Sequence, residues 1–281
     1  MPSIVVLGSV NLDIVAKADR LPVAGETVTD AELGRYPGGK GANQALAAQR
    51  LGADVSLVAR VGTDSAAEEA LALLREGGVD LSNVSAVKDA ATGVALIAVA
   101  ASGENQIVVA PGANRSLSPE TLEIPAADAL ICQLEIPTDA VAHAAANFKG
   151  FFCANLAPAR HVDVTVLQRA DLIVLNETEA AWYGDSLSAC AGTIATTFGA
   201  AGAVLTRNGE DIARAKPPRV EAIDTTGAGD AFTAALTVAL VEGQSPEEAL
   251  KFACAAGAAA ATKVGAQPSL PTRSDVIALL N

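Results

Sequence analysis

Positive charge is scarce in this sequence. Its 281 residues carry 19 Lys and Arg against 32 Asp and Glu, a formal net charge of -13 at pH 7. A surface of that sign repels a phosphate backbone and argues against a nucleic-acid binder. A small anionic ligand is still allowed, held by backbone donors and one or two local cations. Histidine is nearly missing: His143 and His161 stand far apart, with no zinc-like spacing. The four cysteines, Cys132, Cys153, Cys190 and Cys254, are widely spaced and form no CxxC, so they read as buried, reduced thiols of a cytosolic chain. No apolar run is long enough to span a bilayer; the mean hydropathy of +0.34 comes from alanine-rich stretches such as FACAAGAAAAT. The opening MPSIVVLGSVNLD has no basic leader and enters a strand pattern at once, so no signal peptide and a cytoplasmic location are expected. Two nucleotide signatures are also wanting. YPGGKGAN (36–43) lacks the Walker spacing and its final Ser/Thr, and LGSVNLD follows the first strand where a GxGxxG would stand. A P-loop protein and a dinucleotide-dependent oxidoreductase are both disfavoured.

What is present is a rhythm of short apolar runs and alanine-rich helical patterns. Ile4 to Leu7, DVSLVARVG (54–62), DALICQL (128–134), GFFCANL (150–156), ADLIVLN (170–176) and AGAVLTRNG (201–209) read as strands. Helical patterns lie between them, for example at 64–77, 138–147 and 188–198. That alternation predicts a mostly parallel sheet covered by helices on both faces, with right-handed crossovers, in one domain spanning 1–281. Two segments break the rhythm. Residues 12–36 make an irregular or β-like excursion, and residues 92–110 read as a hairpin around ASGEN. Together they predict a small β-layer that covers a site or meets a partner subunit.

The segment VEAIDTTGAGDAFTAALTVALVEG reads as a strand (Val220 to Ile223), a glycine turn and a helix ending at Gly243. Backbone N–H groups at such a helix start favour an anion, and Asp230 there is either a helix-dipole partner or a catalyst. In α/β sheets of this kind ligands bind beyond the carboxyl ends of the strands. Polar residues gather there: Asn11 and Asp13, then Gly38–Gly39 with Lys40 and Asn43, Glu135, Asn176 with Glu177 and Glu179, and Asp224 to Asp230. Singly, each has a structural explanation as turn former or helix-dipole partner. Their shared edge is the signal.

In order along the chain, GGKGANQALAAQRLG, TGVALI, PGAN, NETEA, DTTGAGDAF and GAQPS (265–269) resemble the ribokinase, or PfkB, family of carbohydrate kinases, over nearly the whole length. QLEIP and GAQPS are closer to its ribokinase branch than to its adenosine kinase or fructokinase branches. The resemblance implies a three-layer α/β/α fold with a small β-sheet lid made from about 12–36 and 92–110. It implies ATP-dependent phosphorylation of the 5-hydroxyl of D-ribose, or of another sugar or a nucleoside, with Mg²⁺ and K⁺ as cofactors and a homodimer joined through the lids. Asp230 would be the general base, and the backbone of Gly227, Ala228 and Gly229 the anion hole. Asn11, Asp13, Gly39, Lys40, Asn43 and Glu135 would bind the sugar, although Lys40 also reads as an exposed turn lysine. Asn176 and Glu179 would stand near the phosphates, Glu179 acting through Mg²⁺-bound water. Thr206, Arg207 and Gly209 match the loop beside the nucleotide, and Asp224, Thr226, Ala260, Lys263, Gly265 and Ser269 match the monovalent-cation loops. A non-catalytic sugar-binding relative would lack the base or the anion-hole glycines, and this sequence keeps both. It departs from the pattern after VLT, where TRNG replaces Thr-Leu-Gly and the 206–220 region is expected to be short by most of a hairpin. Arg207 there reads either as a phosphate contact or as a solvated loop residue.

Overall fold

In the computed structural model, which describes residues 1–281, nine strands form one sheet. Within it β1 (Ser3–Leu7) is flanked by β4 (Asp54–Val61) and β8 (Ala129–Cys132). Beyond β4 lies β5 (Val84–Ala86). Beyond β8 come β9 (Phe151–Asn155), β10 (Leu172–Asn176), β11 (Thr193–Thr197), β12 (Ala203–Arg207) and β13 (Glu210–Ala215). All pairings are parallel except β11–β12 and β12–β13.

The parallel strands are continuous apolar runs because both faces are covered. Successive side chains point to opposite faces. Ile4 and Val6 enter one core with Ile131, Leu172 and Val174, while Val5 and Leu7 enter the other with Leu130, Ile173 and Leu175. The first core lies under α1 (Lys40–Arg50), α2 (Ser65–Glu76), α6 (Ala228–Val241), α7 (Pro246–Ala260) and α9 (Arg273–Leu280); α8 (Ala266–Ser269) is a single turn before α9. The second lies under α3 (Thr138–Asn147), α4 (Val164–Arg169) and α5 (Glu177–Tyr183). This is a three-layer α/β/α fold. No helix is long and apolar enough to cross a membrane. All four cysteines are buried and unpaired.

The excursion and the hairpin meet as one separate four-stranded sheet. Its order is β3 (Glu32–Gly38), β2 (Asn11–Ala18), β6 (Gly93–Ala100), β7 (Asn105–Ala110), with only β2–β6 parallel. β7 is exposed along its whole length, and Leu33, Leu96 and Val108 present apolar surface to solvent.

Three expectations fail. Residues 188–198 are not a helix: a 3-10 turn (Gly184–Ala189) leads into β11, whose Thr193-Ile194-Ala195-Thr196-Thr197 is rich in β-branched residues that fit a pleated surface. Val220 to Ile223 is not a strand. Pro217 and Pro218 offer no ladder N–H just upstream, and the chain docks instead on the end of α7, where Ile223 N and Asp224 N both donate to Ala261 O. Nor is a hairpin missing after VLT, since β12 and β13 form one around Asn208–Gly209.

Candidate active site

The carboxyl ends of β1, β8, β9, β10 and β11 open into a cavity of about 430 Å³, roofed by Ala95, Ile97, Ile107 and Val109 of the small sheet. Of the sugar-site candidates, Asn11, Asp13, Gly39, Lys40, Asn43 and Glu135 all line it, as do Asn176, Glu179, Thr226, Gly227, Gly229 and Asp230. Stretches far apart in the sequence thus converge on one space.

Asp230 stands in the first turn of α6 and is 6 % exposed. It caps nothing: the cap position is Gly227, and neither carboxylate oxygen takes a helix N–H. Instead Asn43 Nδ2 donates to Oδ2 at 2.8 Å and Gln44 Nε2 to Oδ1 at 2.9 Å, both from α1. Burial raises the Asp230 pKa, while Lys40 and the two amides pull it down. The N–H groups of Gly227, Gly229 and Asp230 donate to no protein atom, as the first turn of a helix leaves them. Ala228 differs from its place in the predicted anion hole, because its N–H is used on Thr225 O at 3.1 Å.

Around this acid the charges are unbalanced. Asp13, Glu135, Glu179 and Asp230 face the cavity, with Lys40 the one cation among its lining residues. Burial works against the Lys40 charge, but the four carboxylates outweigh it and raise the pKa; Lys40 is half-buried in the site, not a surface turn lysine. Asp13 is pushed up to about 7, first by burial and then by Glu135 and Asp230, with Lys40 opposing. No protein group donates to it. Gly38 leaves room for it, since a Cβ there would push the Asp13 carboxylate aside. Glu135 is anchored by Ser9 Oγ at 2.5 Å and Lys40 N at 3.0 Å. Asn114 bonds both Val10 N and Val10 O, so its Nδ2 meets Asn11 Oδ1 at 2.8 Å and the Asn11 amide nitrogen is left for the cavity. Asn43 Oδ1 is a buried acceptor with no partner.

A second cavity of about 520 Å³ adjoins the first, sharing Thr197, Thr225 and Gly229 with it. It is mostly apolar, with Pro217, Val220, Phe232, Ala258 and Ala261 in its wall. The N-terminus of α6 stands between a polar chamber and an apolar one. Thr206, Arg207 and Gly209 belong to neither. β12 runs antiparallel to β11, so Thr206 lies opposite Ile194 at the far edge of the sheet, and Arg207 bonds the Thr193 hydroxyl. Their assignment to the nucleotide loop is therefore corrected. The glycine loop at the cleft is Thr197-Phe198-Gly199-Ala200-Ala201-Gly202, between β11 and β12. The Thr-x-Gly-x-x-Gly spacing, with Phe198 where leucine is usual, is a signal that the sequence carries.

The cation-loop candidates gather beside the α6 turn without lining the first cavity, apart from Thr226 and Glu179. Asp224 accepts from Thr226 N and Oγ1 and from Gly265 N, tying two loops together. Lys263 is exposed, and Ser269 is buried with its hydroxyl on Ala266 O. Glu179 forms a capping box with Asn176, one carboxylate oxygen taking the Asn176 N–H at 2.8 Å and the other taking no hydrogen bond. Burial raises the Glu179 pKa against the pull of Lys40. A four-carboxylate site with one lysine suits a phosphate chain only when cations accompany it, and the free Glu179 oxygen fits a hydrated Mg²⁺.

A buried carboxylate beside unspent helix N–H groups, between a polar and an apolar chamber, defines a phosphotransferase site. The comparisons with known proteins agree. The family model for pfkB family carbohydrate kinases matches residues 1–273, and the chain belongs to that family. It is 38% identical over 301 residues to ribokinase of Haemophilus influenzae, covering 99% of this chain and 98% of that protein. It is 37% identical to ribokinase of Bacillus subtilis, with full coverage of both. The structure of ribokinase from Thermotoga maritima superposes with a TM-score of 0.92 at 33% identity, covering 100% of this chain and 99% of that one. Arabidopsis thaliana ribokinase, solved with ribose and ATP, gives 0.90 at 32% identity over 100% and 99%. The protein is an ATP-dependent kinase of a sugar or nucleoside.

Proposed function

We propose that this kinase transfers the γ-phosphoryl group of ATP to the 5-hydroxyl of D-ribose. The observation that carries this reading is the polar chamber around Asp230. It combines an unpartnered Asp13 carboxylate, the Asn11 amide nitrogen, Lys40 and Glu135. That is a set of acceptors and donors suited to the hydroxyls of a small polyol. Relatives above 30% identity named ribokinase, one of them holding ribose and ATP, support the same choice.

Asp230 accepts the 5-hydroxyl proton as that oxygen attacks phosphorus, and ADP leaves. The free N–H groups of Gly227 and Gly229 meet the negative charge on the transferring group, where preorganised donors are most effective. ATP lies with its base in the apolar chamber and its phosphates toward Thr197–Gly202 and Asn176. Glu179 would hold Mg²⁺ through water, and the ion would supply positive charge to the phosphates. A K⁺ ion would be held between the loops that Asp224 joins, by main-chain carbonyls among Asp224, Thr226, Ala260, Lys263, Gly265 and Ser269, and would supply positive charge beside the α6 turn. The small sheet closes over the sugar and excludes competing water. Its apolar outer face pairs with that of a second copy, giving a homodimer. Four buried free thiols suit a cytoplasmic setting.

The apolar roof of Ala95, Ile97, Ile107 and Val109 offers a second reading, in which a nucleobase rests against it and the acceptor is a nucleoside. ADP release from ATP and Mg²⁺, with and without K⁺, is measured across ribose, deoxyribose, fructose and adenosine. A ribose signal raised by K⁺ is expected. Preferential turnover of adenosine would favour the second reading, and a flat response from folded protein would refute both.

A further inference from the structure

The acid in the site is held by a chain of amides that begins at the main chain. Asn155, at the end of β9, donates Nδ2 to Val174 O of β10 at 3.1 Å, which fixes which way its amide points. Its Oδ1 must then face Gln44, whose Nε2 donates to it at 2.9 Å. The same nitrogen donates its other hydrogen to Asp230 Oδ1, also at 2.9 Å. Gln133 Nε2 donates to Gln44 Oε1 at 2.8 Å, so Gln44 is held at both ends of its amide. Gln44 and Gln133 are fully buried, and Asn155 is 7 % exposed. Gln133 Oε1 accepts from no protein group.

We propose that Gln44 and Asn155 are positioning residues for Asp230: the polarity fixed at Val174 O is passed through two amides so that a donor, never an acceptor, faces the carboxylate. This rests on Asp230 being the base. A flipped Gln44 would turn its carbonyl toward that carboxylate, and the Asn155 and Gln133 contacts both oppose the flip. Other charged groups facing Asp230 are Lys40 of α1, which favours its ionised form, and Glu135 after β8, which opposes it; Asp13 of β2 is coupled to it as well. Gln44 and Asn43 are the donors that offset burial on the ionised side. An ionised base is needed for proton acceptance, so losing one of two donors raises its pKa and moves the acid limb of activity to higher pH.

The experiment compares pH profiles of kcat and kcat/KM for ribose phosphorylation in the wild-type enzyme, Gln44→Met and Asn155→Ser, with Asp230→Asn alongside. Gln44→Met keeps chain length and removes the donor. Its acid limb is expected to move up by about one pH unit, as loss of a hydrogen bond to a charged group implies. At the wild-type half-maximal pH, kcat falls severalfold, by about tenfold if the geometry of the base is also loosened. KM for ribose stays within about twofold. Asn155→Ser leaves Gln44 in place with Gln133 alone opposing its flip, and gives a smaller shift in the same direction; it carries the test alone if Gln44→Met does not fold. An acid limb unmoved in a folded variant, even with kcat reduced, would overturn the relay. Near-normal turnover by Asp230→Asn would instead overturn the base itself, so the two failures are told apart.

Discussion

Replacing Asp13 with Asn should make the sugar-free protein more stable while weakening its grip on ribose. The carboxyl stands at about 7 against an ordinary 3.8, chiefly because burial and the neighbouring Glu135 and Asp230 disfavour its charge. Each tenfold change in a proton equilibrium is about 1.4 kcal/mol, so ionising Asp13 in the fold costs on the order of 4 kcal/mol at pH 8. The sign follows from proton linkage. Between pH 3.8 and 7 the unfolded chain has lost this proton and the folded chain keeps it, so stability falls as pH rises through that window and stays low above it. An asparagine in its place carries no charge and escapes the penalty. Urea unfolding should therefore show Asp13→Asn stabilised by up to about 4 kcal/mol at pH 8, a gain that shrinks by about 3 kcal/mol at pH 5. Calorimetry at pH 8 should find ribose binding weakened by about ten- to a hundredfold, the cost of losing a charged acceptor for its hydroxyls. ATP affinity should change little. An equal stability change at both pH values would refute the reasoning, because it would mean that Asp13 does not titrate near 7. Equal loss of ribose and ATP affinity would refute its placement in the sugar chamber.

Arg207→Ala should leave KM for ATP within about twofold, since Arg207 bonds Thr193 at the sheet edge opposite the cleft; a tenfold rise would restore it to the nucleotide site. Gly202→Val should do the reverse, raising KM for ATP or preventing folding. Gly202 has φ +103°, and a Cβ there would run into Ala215 O. Normal ATP kinetics in that variant would remove the 197–202 loop from the site. Val108→Asp, on the exposed face of the lid at 67 % exposure, should convert a dimer to a monomer in sedimentation experiments; an unchanged mass would place the interface elsewhere. Asp224→Asn should lose most of its response to K⁺ while retaining the fold, because one carboxylate oxygen no longer accepts Gly265 N. Undiminished K⁺ activation would separate that carboxylate from the cation.

Much of the fold is legible in the sequence because its strands are buried on both faces, and continuous apolar runs such as Ile4–Leu7 and Leu172–Leu175 record that burial directly. The small sheet is legible from the break in rhythm at 12–36 and the turn at ASGEN. β11 is hidden because Ala189 and Ala191 just ahead of it suggest a helix, while its own threonines carry polar oxygens that mask a buried strand. That one misreading displaces the glycine loop. With 188–198 as helix, VLT becomes the strand that should precede Thr-Leu-Gly, and the nucleotide residues fall one strand too late. In the site, Asp230, Asn43, Lys40, Asp13 and Glu135 are legible because they gather at one edge of the sheet and fall in segments that match the family, although each singly has a structural explanation. Gln44, Asn155 and Gln133 are not. A glutamine within GANQALAAQRLG is an ordinary helix residue, and only the tertiary arrangement shows that Gln44 points inward at 0 % exposure. The orientation of Asn11 is equally hidden, since it depends on Asn114, 103 residues away in sequence.

The most direct measurement is single-turnover transfer of the γ-phosphoryl group to ribose by Asp230→Asn, with ribose binding followed on the same sample by calorimetry. With Asp230 as the base, transfer should fall by at least about 10²- to 10⁴-fold, the usual contribution of general-base catalysis, while the ribose dissociation constant changes by no more than a few-fold. Transfer at near the wild-type rate, with ribose still bound, would contradict it.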